Sequence, residues 1–495
     1  MNPDAEQIPT SPNRQAVSAS LRWTALSVMV ARVLGLVSVI VIARELGPAT
    51  FGMLAVVLLV SEILGLFAEA GISSAVIQAP ELTRRQRATV YSFEWMLGIA
   101  AVLVMLGLSP VIARTAGHPE LAPLLAIAAC SILVESSARH IAAMLQRAMQ
   151  FNRLALAEMA RGFTRSIGAI ALVFFFGIWG VVIAHLAGSI IWVAVLTIYG
   201  VRDKLFPGFA LAFGETRPLL VFGAYRAGTV VLNRLGQRVD QAVVAAVLTP
   251  AALGIYRLAT QFTGSTMSVL QAVTSRVSFS VFSRQQHDRG LALSSFLRLT
   301  AVLCIISAPV TAGMVLLAEP VVALLFGPSW QGSGPLVGLL ALFYFLRMFE
   351  GSAIPLVNGV GMAKQLMRWS AATSVFYISL VALAALAQSV LVIAATMVVV
   401  QAAAICAFYF VILKPTFGSF GRRYLLSIFP AISCAILAAP ALLLAYAPIS
   451  LSPIFQLSAA CVAYSALYSL LCYALNREPL QTLLDAVLPT IKKRL

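Results

Sequence analysis

Apolar runs dominate this chain, and short polar or turn-forming segments interrupt them at regular intervals. Each run is close to the roughly 20 residues that a helix needs to cross a bilayer. Cutting at the interruptions predicts fourteen helices, over residues 19–43, 51–73, 91–113, 121–143, 153–176, 178–200, 218–247, 252–281, 293–317, 335–357, 369–387, 389–412, 425–446 and 454–475. The weakest cuts fall at Gly177 and at Ala387-Gln388, where two helices meet with almost no loop. The first run carries Arg22 and Arg32, is too long for a secretory signal and has no clear small-residue cleavage site, so it reads as an uncleaved first helix. The expected fold is an all-α polytopic membrane protein.

Composition agrees. Of 495 residues, 60% are apolar and 11% charged, and the mean hydropathy is +0.94. A water-soluble domain is nearer a quarter charged, so a soluble enzyme is excluded. The formal charge of +16 comes from 34 Lys and Arg against 18 Asp and Glu. With the N-terminus in the cytoplasm, 23 of the 34 cations fall on cytoplasmic segments and helix mouths, and only Arg44 and Arg114 on outer loops. That alternation orients the helices and puts both ends inside. The charge is a cytoplasmic fringe that meets anionic membrane lipids, not a basic patch for nucleic acid. The six cysteines lie in apolar stretches without a CxxC or Cys/His cluster and read as small buried apolar side chains.

The chain also repeats itself. Leu46-Gly-Pro-Ala-Thr-Phe-Gly52 resembles Leu248-Thr-Pro-Ala-Ala-Leu-Gly254, and the same offset places Arg32 on Arg234. Further on, Pro110-Val-Ile-Ala resembles Pro320-Val-Val-Ala, and Pro123-Leu resembles Pro335-Leu. The offset spans six helices, so two lobes of like orientation are expected, related by an axis along the membrane normal, with a substrate site between them. The implied organisation is a cytoplasmic tail at 1–18, a six-helix lobe at 19–200 and a cytoplasmic loop at 201–217. A second lobe at 218–412, a connection with helices 13 and 14 at 413–475, and a basic cytoplasmic tail at 476–495 complete it.

Ionisable groups at membrane depth are costly, and so are functional candidates by default. Arg32 lies as far before the turn at Gly47 as Glu62 lies after it, so the two share a depth; Glu62 and Glu69 share a helix face. They form a structural pair or line a cavity. Arg226, Arg234 and Arg238 step by four or eight along helix 7 and define one face that must look into protein or water. Asp240 and Arg257 share a depth across helices 7 and 8 and are expected to pair, which leaves Arg234 and Arg238 without evident local partners. In helix 5, Glu158 can satisfy one of Arg161 and Arg165 locally and leave the other for the cavity; Glu135 with Arg139, and Arg347 with Glu350, read as local pairs. His140 and His185 read as hydrogen-bonded core residues rather than proton relays. Across the helices, the first half holds three basic and five acidic groups and the second half is net positive, so the cavity is expected to be locally cationic. Guanidinium groups donate two parallel hydrogen bonds to phosphate, so the expected diphosphate ligands are Arg234, Arg238, Arg226, Arg32, Arg161 and Arg165. Gating, coupling or ion-pair roles fall to Glu62, Glu69, Asp240, Arg257, Arg347 and Glu350.

No Walker A motif, HExxH, GxSxG or metal cluster occurs, and no cofactor is expected. The outer loops are short, which disfavours a glycan polymerase or transferase. Ala43-Arg-Glu-Leu-Gly-Pro-Ala-Thr-Phe-Gly52, Phe67-Ala-Glu-Ala-Gly-Ile-Ser-Ser-Ala-Val-Ile-Gln78, Asp240 through Gly254-Ile-Tyr256, and Phe326-Gly-Pro-Ser-Trp330 resemble the Wzx-type flippases of the multidrug/oligosaccharidyl-lipid/polysaccharide exporter superfamily. The resemblance implies fourteen helices and two lobes around a V-shaped cavity in the bacterial inner membrane. It also implies undecaprenyl-diphosphate-linked oligosaccharide as cargo, cavity arginines on the diphosphate, and polymerase and co-polymerase partners. A cation-coupled drug exporter of the same superfamily is the alternative, and would want acidic cavity residues instead.

Overall fold

The computed structural model of the chain describes the backbone of residues 14–69, 72–79, 81–236, 238–284, 288–445 and 453–475. The side chains of Arg32, Arg226 and Arg276, and the basic tail at 476–495, lie outside the described residues. Among the described residues every regular element is helical, and ten helices are long and apolar enough to cross a bilayer. The chain forms two compact units, Met1–Gly254 and Ile255–Leu495.

The first unit contains α1 (Arg14–Glu69), α2 (Ile72–Gln78), α3 (Arg84–Thr115), α4 (Leu121–Ser136), α5 (Arg139–Arg147), α6 (Phe151–Arg202), α7 (Phe213–Gly236) and α8 (Val239–Val247). The 56 residues of α1, laid straight, would greatly exceed the ~30 Å apolar core of a bilayer. The chain breaks at Gly47, whose φ of 68° is in the left-handed region that glycine enters without penalty, and Pro48 follows it. Gly177, at φ 55° and ψ −130°, breaks α6 in the same way. Each therefore supplies two helical segments, 14–46 and 48–69, then 151–176 and 178–202.

Two runs that the apolar pattern reads as continuous are broken. The helix expected over 121–143 stops at Ser136, where the Ser136 and Ser137 hydroxyls donate to the Ile132 and Val134 carbonyls at 2.9 and 2.6 Å and compete with the helical ladder. The helix expected over 218–247 stops at Gly236, a poor helix former, and Arg238 (φ −119°, ψ −2°) precedes α8. Arg238 is thus not on the same regular helix face as Arg226 and Arg234, contrary to the four-residue stepping.

The repeated turns meet within this unit. A Cβ on Gly52 would overlap the Pro250 carbonyl, and one on Gly254 would overlap the Pro48 carbonyl. The two copies of the Pro-x-x-x-Gly motif therefore pack backbone to backbone, each glycine against the other copy's proline.

Helix α9 (Pro250–Arg284) leads into the second unit, which holds α10 (Arg289–Leu316), α11 (Ala318–Phe326), α12 (Gly334–Gly359), α13 (Ala363–Ala385), α14 (Val390–Phe408), α15 (Lys414–Phe417), α16 (Gly421–Ala445) and α17 (Pro453–Leu475). Gln388, at φ 51°, turns the chain between α13 and α14. Helices α16 and α17 pack on α10 through a core that includes Cys304, Ile305, Ala431, Cys434 and Tyr468, and the Tyr468 hydroxyl donates to the Ile305 carbonyl at 2.8 Å. The segment 317–334 is not an open loop: Trp330 is fully buried, and Glu319 accepts from the Gly332 and Gly334 amides at 2.6 and 2.8 Å. These two bonds give Glu319 a structural role. Glu319→Ala is expected to lower stability by about 2 kcal/mol, read as an earlier thermal unfolding transition in detergent.

Large apolar side chains such as Phe175, Phe429 and Ile436 are exposed, as a bilayer solvent permits and water does not. Three cysteines depart from the buried reading: Cys304, Cys434 and Cys472 are buried, but Cys130, Cys406 and Cys461 are exposed. Apolar helix surroundings identify a lipid-compatible residue but do not separate a protein neighbour from a lipid one.

Candidate functional site

A cavity of about 800 Å³ lies within the first unit. Helical spacing builds its walls. Leu58, Glu62, Gly65, Leu66 and Glu69 line it from segment 48–69, and Leu154, Glu158, Arg161 and Arg165 from segment 151–176, each set repeating at three or four residues and so sharing a face. His185 and Trp192 face it from segment 178–202. Gly188 lets the two arms of α6 close up, since a Cβ there would stand 3.1 Å from the Arg161 carbonyl oxygen and from the Arg165 Cβ. Glu135 and Arg139 come from either side of the α4–α5 break, and Arg234 and Arg238 from the α7–α8 joint.

Glu135 is the hub of the polar wall. Its Oε1 accepts from Arg161 Nη2 and from Ser189 Oγ, both at 2.7 Å, and its Oε2 faces Arg139 Nη2 at 3.9 Å. The Arg161 guanidinium also lies 5.4 Å from the centroid of the Trp192 ring, a cation–π arrangement. Arg161 is thus held by Glu135 rather than by Glu158, which carries no ion pair among the described residues. Local spacing offered Glu158 to either Arg161 or Arg165; Arg161 instead takes a carboxylate from α4, a neighbouring helix that spacing does not reveal.

Arg238 forms an ion pair with Glu62, its Nε 3.1 Å from Oε2, with the two side chains about two-fifths exposed. The sequence showed no local partner for Arg238; the partner is on α1. Among the described residues the Nη groups of Arg238 carry no hydrogen bond, so the open end of its guanidinium remains available at the cavity. Arg234 is exposed and has no ion pair among the described residues. Five arginines and four glutamates line the space, so it is nearer to charge balance than the sequence reading suggested.

Of the predicted residues, the cavity brings together Arg161, Arg165, Arg234, Arg238, Glu62 and Glu69. Arg32 and Arg226 lie outside the described side chains. Asp240 and Arg257 are buried but are not among the lining residues. The expected Arg347–Glu350 pair is replaced: Glu350 accepts from Trp369 Nε1 at 3.0 Å and Gln401 Nε2 at 2.7 Å, while Arg347 lies 5.8 Å from the Phe343 ring centroid. Neighbouring helices supplied neutral donors that short-range spacing does not reveal. Sequence reading missed Ser189 and Trp192, and placed His185 in the core although it lines the cavity. His140 is in the core, but neither of its nitrogens has a partner among the described residues, and its ring contact is an edge-on one with Tyr91 at 5.9 Å. Glu94, also missed, is fully buried behind the wall and accepts from Ser73 Oγ at 3.3 Å.

Comparison with known proteins gives this site its setting. The chain is 25% identical to lipopolysaccharide biosynthesis protein WzxC of Escherichia coli, over 84% of each chain. It is 27% identical to succinoglycan biosynthesis transport protein ExoT of Rhizobium meliloti, over 96% of each. Its fold matches lipid II flippase MurJ in an inward closed conformation, with a TM-score of 0.73 over 92% of this chain and 99% of that one at 16% identity. A multidrug resistance MATE family transporter of the MOP superfamily matches with a TM-score of 0.59, over 80% of this chain and 98% of that one at 15% identity. The polysaccharide biosynthesis protein family matches residues 41–335, more than half of the chain, and the protein is a membrane-embedded member of that family.

Proposed function

We infer that this protein flips an undecaprenyl-diphosphate-linked oligosaccharide from the cytoplasmic to the periplasmic leaflet of the bacterial inner membrane, by alternating access. The observation that carries the reading is the cavity itself: Arg234 and the Nη end of Arg238 line it together with Arg139 and Arg161, which are paired with Glu135, and Arg165. Fixed guanidinium forks suit a diphosphate, because two hydrogen bonds form together with little further ordering. The likeness to WzxC, a lipopolysaccharide biosynthesis protein, and ExoT, a succinoglycan biosynthesis transport protein, supports the same class of cargo. In this reading fourteen helices form lobes at 19–200 and 218–412, with both ends cytoplasmic, and the lobes rock to expose the site on alternate sides. The cargo is passed on unreacted to polymerase and co-polymerase partners.

Arg234→Ala is expected to slow transfer of a fluorescent undecaprenyl-diphosphate oligosaccharide in proteoliposomes about tenfold, the worth of one charge-assisted hydrogen bond. Arg234→Lys, which keeps the charge but loses the fork, recovers part of the rate. An unchanged rate in Arg234→Ala removes this residue from the diphosphate site. A cation-coupled drug exporter is the second reading, favoured by Glu69 and Glu158, which line the cavity without an ion pair among the described residues. Drug resistance that is lost in Glu69→Gln while glycan export persists would select it.

A further inference from the structure

A second feature of the first unit lies outside this cavity. Between α3 and α7 the segment 205–212 runs extended along α3. The Ala210 and Ala212 amides donate to Ser92 Oγ and Thr89 Oγ1, each at 3.1 Å, and the Phe209 ring lies 5.2 Å from that of Tyr91. This strap and α3 enclose two cavities that share Phe209 and Ala210. One, of about 490 Å³, is bordered by Arg84, Arg85 and Glu215; the other, of about 540 Å³, by Trp95, Met96, Ile99 and Leu211. The lining positions on α3 recur every three or four residues from Arg84 to Ile99, so they form one stripe.

The stripe is a groove with a cationic end and an apolar end. Arg85 faces Glu215 at 3.6 Å with both side chains largely exposed, so this pair is weak. Arg84 is exposed and carries no ion pair among the described residues. The first turn of α3 holds no acid to offset these cations at the positive end of the helix dipole. From Arg84 to Ile99 the helix rises about 22 Å, which is close to one headgroup layer plus one leaflet of hydrocarbon. Met96, Ile99, Phe209 and Leu211 are all more than two-fifths exposed, so the apolar end has a surface that protein does not cover. The distribution of arginines assigns the cationic end to the cytoplasmic side.

The geometry points to a resident anionic phospholipid of the cytoplasmic leaflet in this groove, its phosphate at Arg84 and Arg85 and an acyl chain along Trp95, Met96 and Ile99. The lipid completes the outer wall of the strap and ties the segment between α6 and α7 to membrane composition. It is distinct from the cargo, whose proposed site faces the other cavity.

The full chain in phosphatidylcholine nanodiscs tests this, with either phosphatidylglycerol or phosphatidylcholine brominated on its acyl chains and added in steps. Bromine quenches a tryptophan in contact, and Trp95 lines the apolar end. Half-maximal quenching is expected at about a tenfold lower mole fraction of brominated phosphatidylglycerol than of brominated phosphatidylcholine. The preference should fall below about twofold in Arg84→Ala/Arg85→Ala, both exposed positions, and disappear in Trp95→Phe. Equal quenching by the two lipids overturns the proposal, whether the groove is empty or covered by a second copy of the chain. A preference that survives in Trp95→Phe or in the arginine variant places the lipid elsewhere and also overturns it. Loss of the preference when inorganic phosphate is added reassigns the arginines to a free anion.

Discussion

Gly52→Leu is expected to abolish the proposed glycan export in cells that depend on this protein, at normal membrane levels of the chain. The reason is backbone contact: even the first carbon of a side chain at Gly52 meets the Pro250 carbonyl, and the reciprocal site at Gly254 meets Pro48. A carbonyl in a helix cannot step aside as a flexible side chain can, so the two segments must separate. Overpacking of this kind costs about 3 kcal/mol or more, roughly a hundredfold in the population of the packed state. Gly52→Ala should fall between wild type and Gly52→Leu, and the double variant Gly52→Ala/Gly254→Ala should cost little more than the worse single one, because one separation relieves both clashes. Export by Gly52→Leu at the wild-type rate would show that transport does not need this crossing.

The second large effect is at Glu135. Glu135→Ala leaves the Arg139 and Arg161 guanidinium groups without their shared carboxylate in a poorly solvated wall, and leaves Ser189 only its longer bond to the His185 carbonyl at 3.3 Å. Removing one partner of such a group costs about 3 kcal/mol, most of it from leaving a charge uncompensated in a poorly solvated place. The expected result is a large drop in thermal stability of the purified protein together with loss of transport. Glu135→Gln keeps an acceptor oxygen and should lose less. A double-mutant cycle with Arg161→Ala should return a coupling of at least about 1 kcal/mol. Additive effects would mean that Trp192 alone holds Arg161 in place.

How far these residues could be read in advance depended on the range of the interaction. The breaks at Gly47, Gly177 and Gln388 were legible only as interruptions of apolar runs, the last two weakly, and the structure gives all three a positive φ. The repeat was legible as a motif, although its meaning, two glycines each seated on the other copy's proline, came from packing. Candidate arginines could be found because charge in an apolar run is conspicuous. Their partners could not: Arg161 has Glu158 one turn away, yet it bonds Glu135, and Arg238 bonds Glu62 on a helix far away in sequence. Depth counting limits an ion pair to a layer of the membrane and leaves open which neighbour in that layer supplies the opposite charge. Small helix breaks then decide the matter, and those at Ser137 and Arg238 depend on serine hydroxyls and a single glycine that periodicity averages away.

The joint between α7 and α8 has a mechanical consequence. Arg238 sits where the helical ladder is interrupted, so its backbone orientation follows the angle between the two helices. A tilt at that joint would act as a crank, carrying the guanidinium with the backbone while the side chain keeps its rotamer; in the conformation described the guanidinium rests against Glu62.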